Sequence, residues 1–457
     1  MLISSKKINF EAFLINSLFS FIPISFIAGN LVLNINILLF LLSAIFFRWK
    51  DILKIKLLTI DKLIIIFFSY VFIAGVLNNF FFRDVNAFPD NIIVVKTIFY
   101  LRFLLFYFVI RILVDKNIIN FKTFLIFCSI CSYFVCLDLI YQFNFGKDIF
   151  GFTSNDPRRL GGPFGDEMVA GSYLQRFAIF TFFLILIFFK IKNKFSLSIF
   201  LFLTFSLFLV SIIISGNRIP IILFLILMLC VFSSLKIIRK YLIPLFITIT
   251  LIIGVLFNVN QNIKDHFIHF NNKVIESIDF FSTIIIKDKK SKIIEIPGNV
   301  KGQYEVTVNG KLIQIPNNYI KELNSGYQTW LNNKYIGGGI KSFHKSCQKS
   351  GISFNILNCS SHPHNYYLEI LSEIGIIGLI ILIIIFSKIF YDNLIKRNMF
   401  EYSLEKNGLI LPFIFLFLLE IFPIRTTGSF FTTGNATYIF LVMSITIALS
   451  ISDGKKT

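Results

Sequence analysis

Three short stretches of this sequence gather side chains that grip anions or move protons. The first is Arg158-Arg159-Leu160-Gly161-Gly162-Pro163-Phe164-Gly165-Asp166-Glu167, with Arg176 close behind. Paired guanidiniums bind phosphate oxygens in bidentate fashion, and glycines let the backbone approach a ligand closely. A solvated turn with Arg–Asp pairing fits the same residues. The second is Ser215-Gly216-Asn217-Arg218-Ile219-Pro220. It lies between two apolar runs, and its Pro suits the first turn of a helix. A helix N-terminus beside a guanidinium is an anion site; the plainer reading is an interfacial Arg that snorkels. The third runs from Cys359 to Gly378 and holds His362 and His364, two of only five histidines. Asn365 suits the N-cap of a following helix, which puts His364 just outside it. Glu369 and Glu373 then share one helical face. Histidine is the natural proton acceptor near neutral pH, although a lone loop His is more often incidental.

The elements that must position these residues are membrane spans. The chain has 457 residues, 56% of them hydrophobic, a mean hydropathy of +0.77 and 59 Phe. No soluble core hides that much apolar surface. Apolar runs at 13–29, 31–47, 63–80, 92–111, 122–143, 171–189, 196–214, 219–234, 241–258, 366–387, 408–424 and 435–451 predict about twelve helices. One alternate set of loops carries roughly twenty Lys and Arg, and the short loops of the other set about six. The positive-inside rule therefore expects both termini in the cytoplasm. It exports the 144–170 loop, the Ser215–Arg218 turn, the 259–365 segment and the 425–434 loop, so Arg158, Arg159, Arg218, His364 and Arg425 gather on the far side. The net charge of +19 is spread over these loops in short clusters, which argues against a nucleic-acid partner.

The expected architecture is an all-α polytopic protein in three parts. These are an N-terminal bundle (1–258), a large external loop domain (259–365) and a C-terminal bundle (366–457). Within the loop domain, Asn309-Gly310 between alternating stretches predicts a β-hairpin over 304–315. Residues 319–350 are expected to be helical. Cys347 and Cys359 fall in this segment, and on an oxidising far side they would form a disulfide. Cys128, Cys131, Cys136 and Cys230 lie in apolar runs and read as inert packing residues. No cleavable signal peptide is evident at the first apolar run.

Together the three stretches resemble the O-antigen ligase / O-antigen polymerase family of bacterial inner-membrane proteins. The resemblance rests on Ser-Gly-x-Arg at 215–218, then a long external loop, then His-Asn-x-Tyr-Leu-Glu-x-Leu-x-Glu-x-Gly-x-x-Gly from His364 to Gly378. Arg159 to Leu174 is similar to a further family stretch. The resemblance implies an architecture like that of the GT-C glycosyltransferases, with no metal and no nucleotide sugar. It implies a donor glycan on polyprenyl (undecaprenyl) diphosphate and an acceptor that is lipid A–core or another lipid-linked glycan. Membrane lipids and other polysaccharide-assembly proteins complete the implied partners, and the active face would be periplasmic. The essential residues carry over to Arg218 and His364. The family's second ligase Arg would fall at Gly326, where this chain departs from the pattern, and that departure leans toward a polymerase.

On this reading the reaction is a direct, inverting displacement at the anomeric carbon. Arg218 with Arg158 or Arg159 neutralises the leaving diphosphate, and His364 orients or deprotonates the acceptor hydroxyl. Arg176 and Arg425 are further substrate-binding candidates. Trp330 and Tyr367 are candidates for sugar stacking, although an interfacial aromatic belt explains a tyrosine as well. The competing class is a flippase for lipid-linked oligosaccharides, favoured by Lys96, Arg102 and Arg111 in the fourth apolar run. A scaffold for polysaccharide assembly is a third, and would need no catalytic residues.

Overall fold

The computed structural model describes residues 10–81, 91–156, 158–189, 193–234, 239–287, 305–308, 311–314, 318–348, 358–396, 408–423 and 428–454. Most of these form helices: α1 (Phe10–Ser20), α2 (Ile22–Ile27), α3 (Asn30–Leu53), α4 (Thr59–Phe80), α5 (Ile92–Tyr100), α6 (Arg102–Asp115) and α7 (Phe121–Phe145). There follow α8 (Ala170–Phe177), α9 (Ile179–Leu184), α10 (Lys194–Ile214), α11 (Arg218–Ser234), α12 (Leu242–Val259) and α13 (Gln261–Lys287). The last are α14 (Asn318–Asn332), α15 (Phe343–Gln348), α16 (Tyr366–Phe390), α17 (Leu411–Glu420) and α18 (Thr433–Gly454).

These helices are apolar on every side because one face meets protein and the other would meet lipid. On α3, Leu33, Ile37, Phe40, Leu41 and Ala44 are buried, while Leu31, Leu38, Leu42 and Phe46 are exposed. The buried stripes interlock through aromatic pairs. Phe19 packs on Phe124 at 4.8 Å between ring centroids, and Phe103 stacks on Phe440 at 5.8 Å.

Among the described residues nine helices are long and apolar enough to cross a membrane, or ten if α12 and α13, bent by 114°, form one span. This is a multi-pass membrane protein, but the expected twelve spans are not all of full length. The 219–234 run forms the 17-residue α11, and the 408–424 run condenses to the 10-residue α17. Ten helical residues rise about 15 Å, half of a ~30 Å hydrocarbon core. Pro412 stands in the first turn of α17 and Pro423 follows its end, which limits the helix on both sides.

Several charged groups within the apolar runs bond other protein groups. Asp61 accepts from Arg111 and from the Tyr107 hydroxyl, the latter at 2.6 Å. Arg102 donates to Thr433 Oγ1 at 3.0 Å, and Lys96 Nζ lies 3.4 Å from the Lys341 carbonyl. The three cations that favoured transport therefore hold α4, α5, α6, α18 and the Lys341 loop together.

The long segment is tied to the bundle through a break in α16. Gly375 has φ +68° inside this helix, a conformation suited to glycine. Backbone from 334–339 enters the gap. Gly338 N donates to Ser372 O at 2.9 Å, Gly339 N to Glu373 O at 2.8 Å, and Ile376 N to Lys334 O at 2.9 Å. The backbone groups freed by the break are thus satisfied by this insertion, as burial requires. The Gly337-Gly338-Gly339 run is therefore not helical, in contrast to the expectation for 319–350. A Cβ at Gly375 would collide with the Tyr335 carbonyl, and one at Gly337 with Glu373. Both carboxylates of α16 hold loops: Glu373 accepts from Lys341 N at 2.7 Å, and Glu369 from Phe430 N at 2.6 Å and from Ser429. Strands β1 (Glu305–Val308) and β2 (Lys311–Gln314) pair antiparallel, with Val308 opposite Lys311. The Asn309-Gly310 turn lies outside the described residues.

Candidate active site

The first two sequence stretches meet backbone to backbone. Gly216 turns the chain at φ +68° after α10, and a Cβ there would collide with the Arg158 carbonyl and stand 3.2 Å from Arg159 Cα. Leu160 N donates to Ser215 O at 3.3 Å, which fixes the register of the two loops. The loop that carries Arg158 and Arg159 is thereby laid against the turn that carries Arg218. Arg158 is exposed and forms a bidentate pair with Asp156, at 3.0 and 3.2 Å. Hydrogen bonding to Arg158 holds the Asp156 carboxyl below the usual carboxylate range.

Arg218 opens α11 and is half-buried, with its guanidinium over the Phe270 ring at 5.0 Å from the centroid. Its Nε and Nη2 lie 3.0 Å from Nε2 and Nδ1 of His266, a buried residue of α13. His266 Nε2 is also 3.0 Å from the Gly216 carbonyl. With the hydrogen on Nε2, the ring donates to the Gly216 carbonyl and Nδ1 accepts from Arg218 Nη2, and the Arg218 Nε contact with Nε2 is then not a hydrogen bond. Burial, then the Arg218 charge, push the His266 imidazole down to about 4, with lesser contributions from Arg159 and Arg158 against the Gly216 bond. His266 is therefore a neutral acceptor clamped between a cation and the turn that presents it.

His364 precedes α16 at φ +49° and stands outside the helix that Asn365 caps, through bonds to Tyr367 N at 3.0 Å and Leu368 N at 3.1 Å. The His364 ring packs on His362, centroids 4.3 Å apart, and Nε2 is 3.8 Å from Glu322 Oε1. Burial, aided by His364 and Lys341, lowers His362 to about 4, so it stays neutral beside its neighbour. Burial raises Glu322 above the usual carboxylate range, opposed by the His364 charge and by a 3.0 Å bond from Asn358 Nδ2.

Helix α14 joins the two centres. Tyr319 is a hydrogen-bonding neighbour of Arg218, and Glu322 is the neighbour of His364. The two positions are three apart, one turn of a single helical face. On the same helix Gly326 is buried, and a Cβ there would stand 2.9 Å from Pro363 Cβ and 2.9 Å from Leu368 Cβ. The position where the family pattern would place a second Arg is thus packed tightly against Pro363 and Leu368, with little room for a side chain.

The remaining candidates divide. Arg176 is buried in α8 and engaged by Glu420 (Nη2 to Oε1, 2.6 Å) and by Asn435 Oδ1 at 2.6 Å, with its guanidinium over the Tyr438 ring. Tyr367 donates to the Ile421 carbonyl, which fastens α16 to the end of α17. Trp330 donates to Lys334 O at 2.9 Å and packs beside Tyr327 at 5.7 Å. Cys347 and Cys359 are joined, with Cα atoms 5.6 Å apart, and His344 Nδ1 lies 2.7 Å from the Cys359 carbonyl. Arg425 lies outside the described residues.

Sequence reasoning passed over His266, Tyr319 and Glu322. His266 had a signal: it is one of five histidines and follows closely on an apolar run. Glu420 had one too, as the one acidic residue in Leu-Pro-Phe-Ile-Phe-Leu-Phe-Leu-Leu-Glu. Tyr319 and Glu322 gave none, since only the packing of α14 reveals their neighbours.

A comparison with curated proteins finds no match. A comparison with protein families finds one over residues 203–383, by the model described as O-antigen ligase. That stretch covers less than half of the chain but includes the Ser215–Arg218 turn, His266, Gly326 and the motif from His364 to Gly378. The match supports the family read from the three motifs: the chain is a multi-pass membrane protein that is similar to the O-antigen ligase family over this stretch.

Proposed function

We propose that this protein transfers a glycan from polyprenyl diphosphate to a sugar hydroxyl, at the face where Arg218 and His364 lie. That face is periplasmic on this reading, in the bacterial inner membrane with both termini cytoplasmic. The observation that carries the proposal is the contact of Arg218 and His364 with one turn of α14, through Tyr319 and Glu322. An anion-binding group and a proton-accepting group at neighbouring points suit a transfer in which a diphosphate leaves and a hydroxyl attacks.

The roles follow from the chemistry of each group. Arg218, held by neutral His266, stabilises the charge that develops on the leaving diphosphate, with Arg158 and Arg159 on the adjoining loop. His364 orients the acceptor hydroxyl or takes its proton as the oxygen attacks the anomeric carbon, with inversion. Glu322 steadies the imidazolium that forms. The guanidiniums supply the charge compensation, and the proposed reaction uses neither a metal nor a nucleotide sugar. A polymerase is slightly favoured over a ligase because Gly326, packed against Pro363 and Leu368, occupies the place of a second Arg. The alternative, a flippase, loses its main support because Lys96, Arg102 and Arg111 have partners within the fold.

The banding pattern of surface glycan in a deletion strain tests the proposal. A core that carries a single repeat is the result expected of a lost polymerase, and a core without any O-chain that of a lost ligase. An unaltered pattern would contradict both.

A further inference from the structure

A recess opens beside the loop that carries Arg158 and Arg159. It has a volume of about 240 Å³ and lies between the start of α3, the 164–177 stretch and the 428–435 loop. No role in the proposed transfer has been given to it. Its walls are of two kinds. Phe26 and Phe164 supply apolar ring surface, with Tyr173 and Phe177 buried behind them, while Asn30 and Ser172 supply uncharged hydrogen-bonding groups; Thr432 and Asn435 also line the recess but already bond the Ser429 carbonyl and, for Asn435, Arg176.

The charges decide what such a recess accepts. Arg176 lines it, but its guanidinium is already paired with the buried carboxylate of Glu420 at 2.6 Å. Glu167 lines it as well. Among the described residues one guanidinium meets two carboxylates, an excess of negative charge that disfavours a phosphate. Aromatic walls with amides and hydroxyls suit instead the C–H face and hydroxyl rim of an uncharged sugar. The volume falls below the roughly 300–1,000 Å³ of pockets for drug-sized ligands, which fits a single sugar ring better than an oligosaccharide.

We infer that this recess is a subsite for one neutral sugar residue, separate from the diphosphate-binding arginines. The inference deepens the proposed transfer by giving the glycan its own contact, and it rests on that reading only for the role of the sugar and not for its binding. Gly434 offers a clean probe. A Cβ there meets only Phe26, at 3.6 Å, so a larger side chain has space to grow toward the recess.

The test is saturation-transfer NMR on the full-length protein in nanodiscs. The probes are a panel of neutral hexoses and N-acetylhexosamines, with inorganic pyrophosphate as the comparison. At least one neutral sugar is expected to show saturation transfer, reduced fivefold or more by Gly434→Leu and severalfold by Asn30→Ala. Pyrophosphate binding is expected to survive both substitutions. Asn30→Ala removes only an exposed amide, so it remains informative if Gly434→Leu does not fold. Binding of no sugar, binding that is unchanged in Asn30→Ala and in any folded Gly434→Leu, or loss of pyrophosphate in its place would overturn the subsite. If sugar binds as expected and the protein transfers no glycan, the subsite stands and the transferase reading falls.

Discussion

Replacement of His266 by Ala should disable Arg218 without touching it. Nδ1 accepts from Arg218, and Nε2–H ties the same ring to the Gly216 carbonyl, each at 3.0 Å. A hydrogen bond to a charged group contributes about 1.5–3 kcal/mol. If the whole of it acts on the orientation of Arg218 in the transition state, its loss lowers the rate about 10- to 150-fold. The assay is the initial rate of glycan transfer from a lipid-linked diphosphate donor, with purified protein in proteoliposomes. His266→Ala should lower kcat and leave KM for the acceptor nearly unchanged. His266→Gln should recover part of the rate, because its amide can donate to Gly216 and accept from Arg218. A packing role alone would lower thermal stability in both variants and would not distinguish Gln from Ala. Transfer by His266→Ala within twofold of the native rate would refute the reasoning.

Other perturbations test the frame around the site. Glu420→Gln strands the buried Arg176 and should cost about 3–5 kcal/mol, seen as a fall in Tm in detergent. Gly375→Ala forces a side chain into a φ of +68° against the Tyr335 carbonyl. It should cost about 1–3 kcal/mol in strain alone and expose the 334–341 backbone to hydrogen exchange. His266 and His362 both have their pKa lowered from 6.5 to about 4 by folding. Between those values the unfolded chain binds more protons, so stability is full above pH 6.5 and is lost as pH falls toward 4. The loss should reach about 1–3 kcal/mol for each after solvent screening, and a Tm that does not fall over that range would contradict it.

The apolar runs, their order and the cap at Asn365 were legible in the sequence because each is a local pattern. The disulfide between Cys347 and Cys359 was legible from the segment they share. What stayed hidden was set by distant contacts. The Gly337-Gly338-Gly339 run lies within the helix expected over 319–350, and its partner in the break at Gly375 is visible only in the fold. The counter-charge of Arg176, Glu420, is 244 positions away and so could not be read beside it in the sequence. The short α17 was overestimated because hydropathy does not register where Pro412 and Pro423 end a helix. Arg218 and His364 each have a neighbour on α14, which carries no motif of its own.

The central claim is that Arg218 and His364 act on one transferred glycan. Purified wild-type, Arg218→Ala and His364→Ala proteins, reconstituted at equal amounts with a polyprenyl-diphosphate-linked glycan and its acceptor, test it most directly. The account predicts glycan transfer by the wild type, and its loss in both variants while each still inserts and keeps its native Tm within a few degrees. Transfer at the native rate by either variant would contradict it.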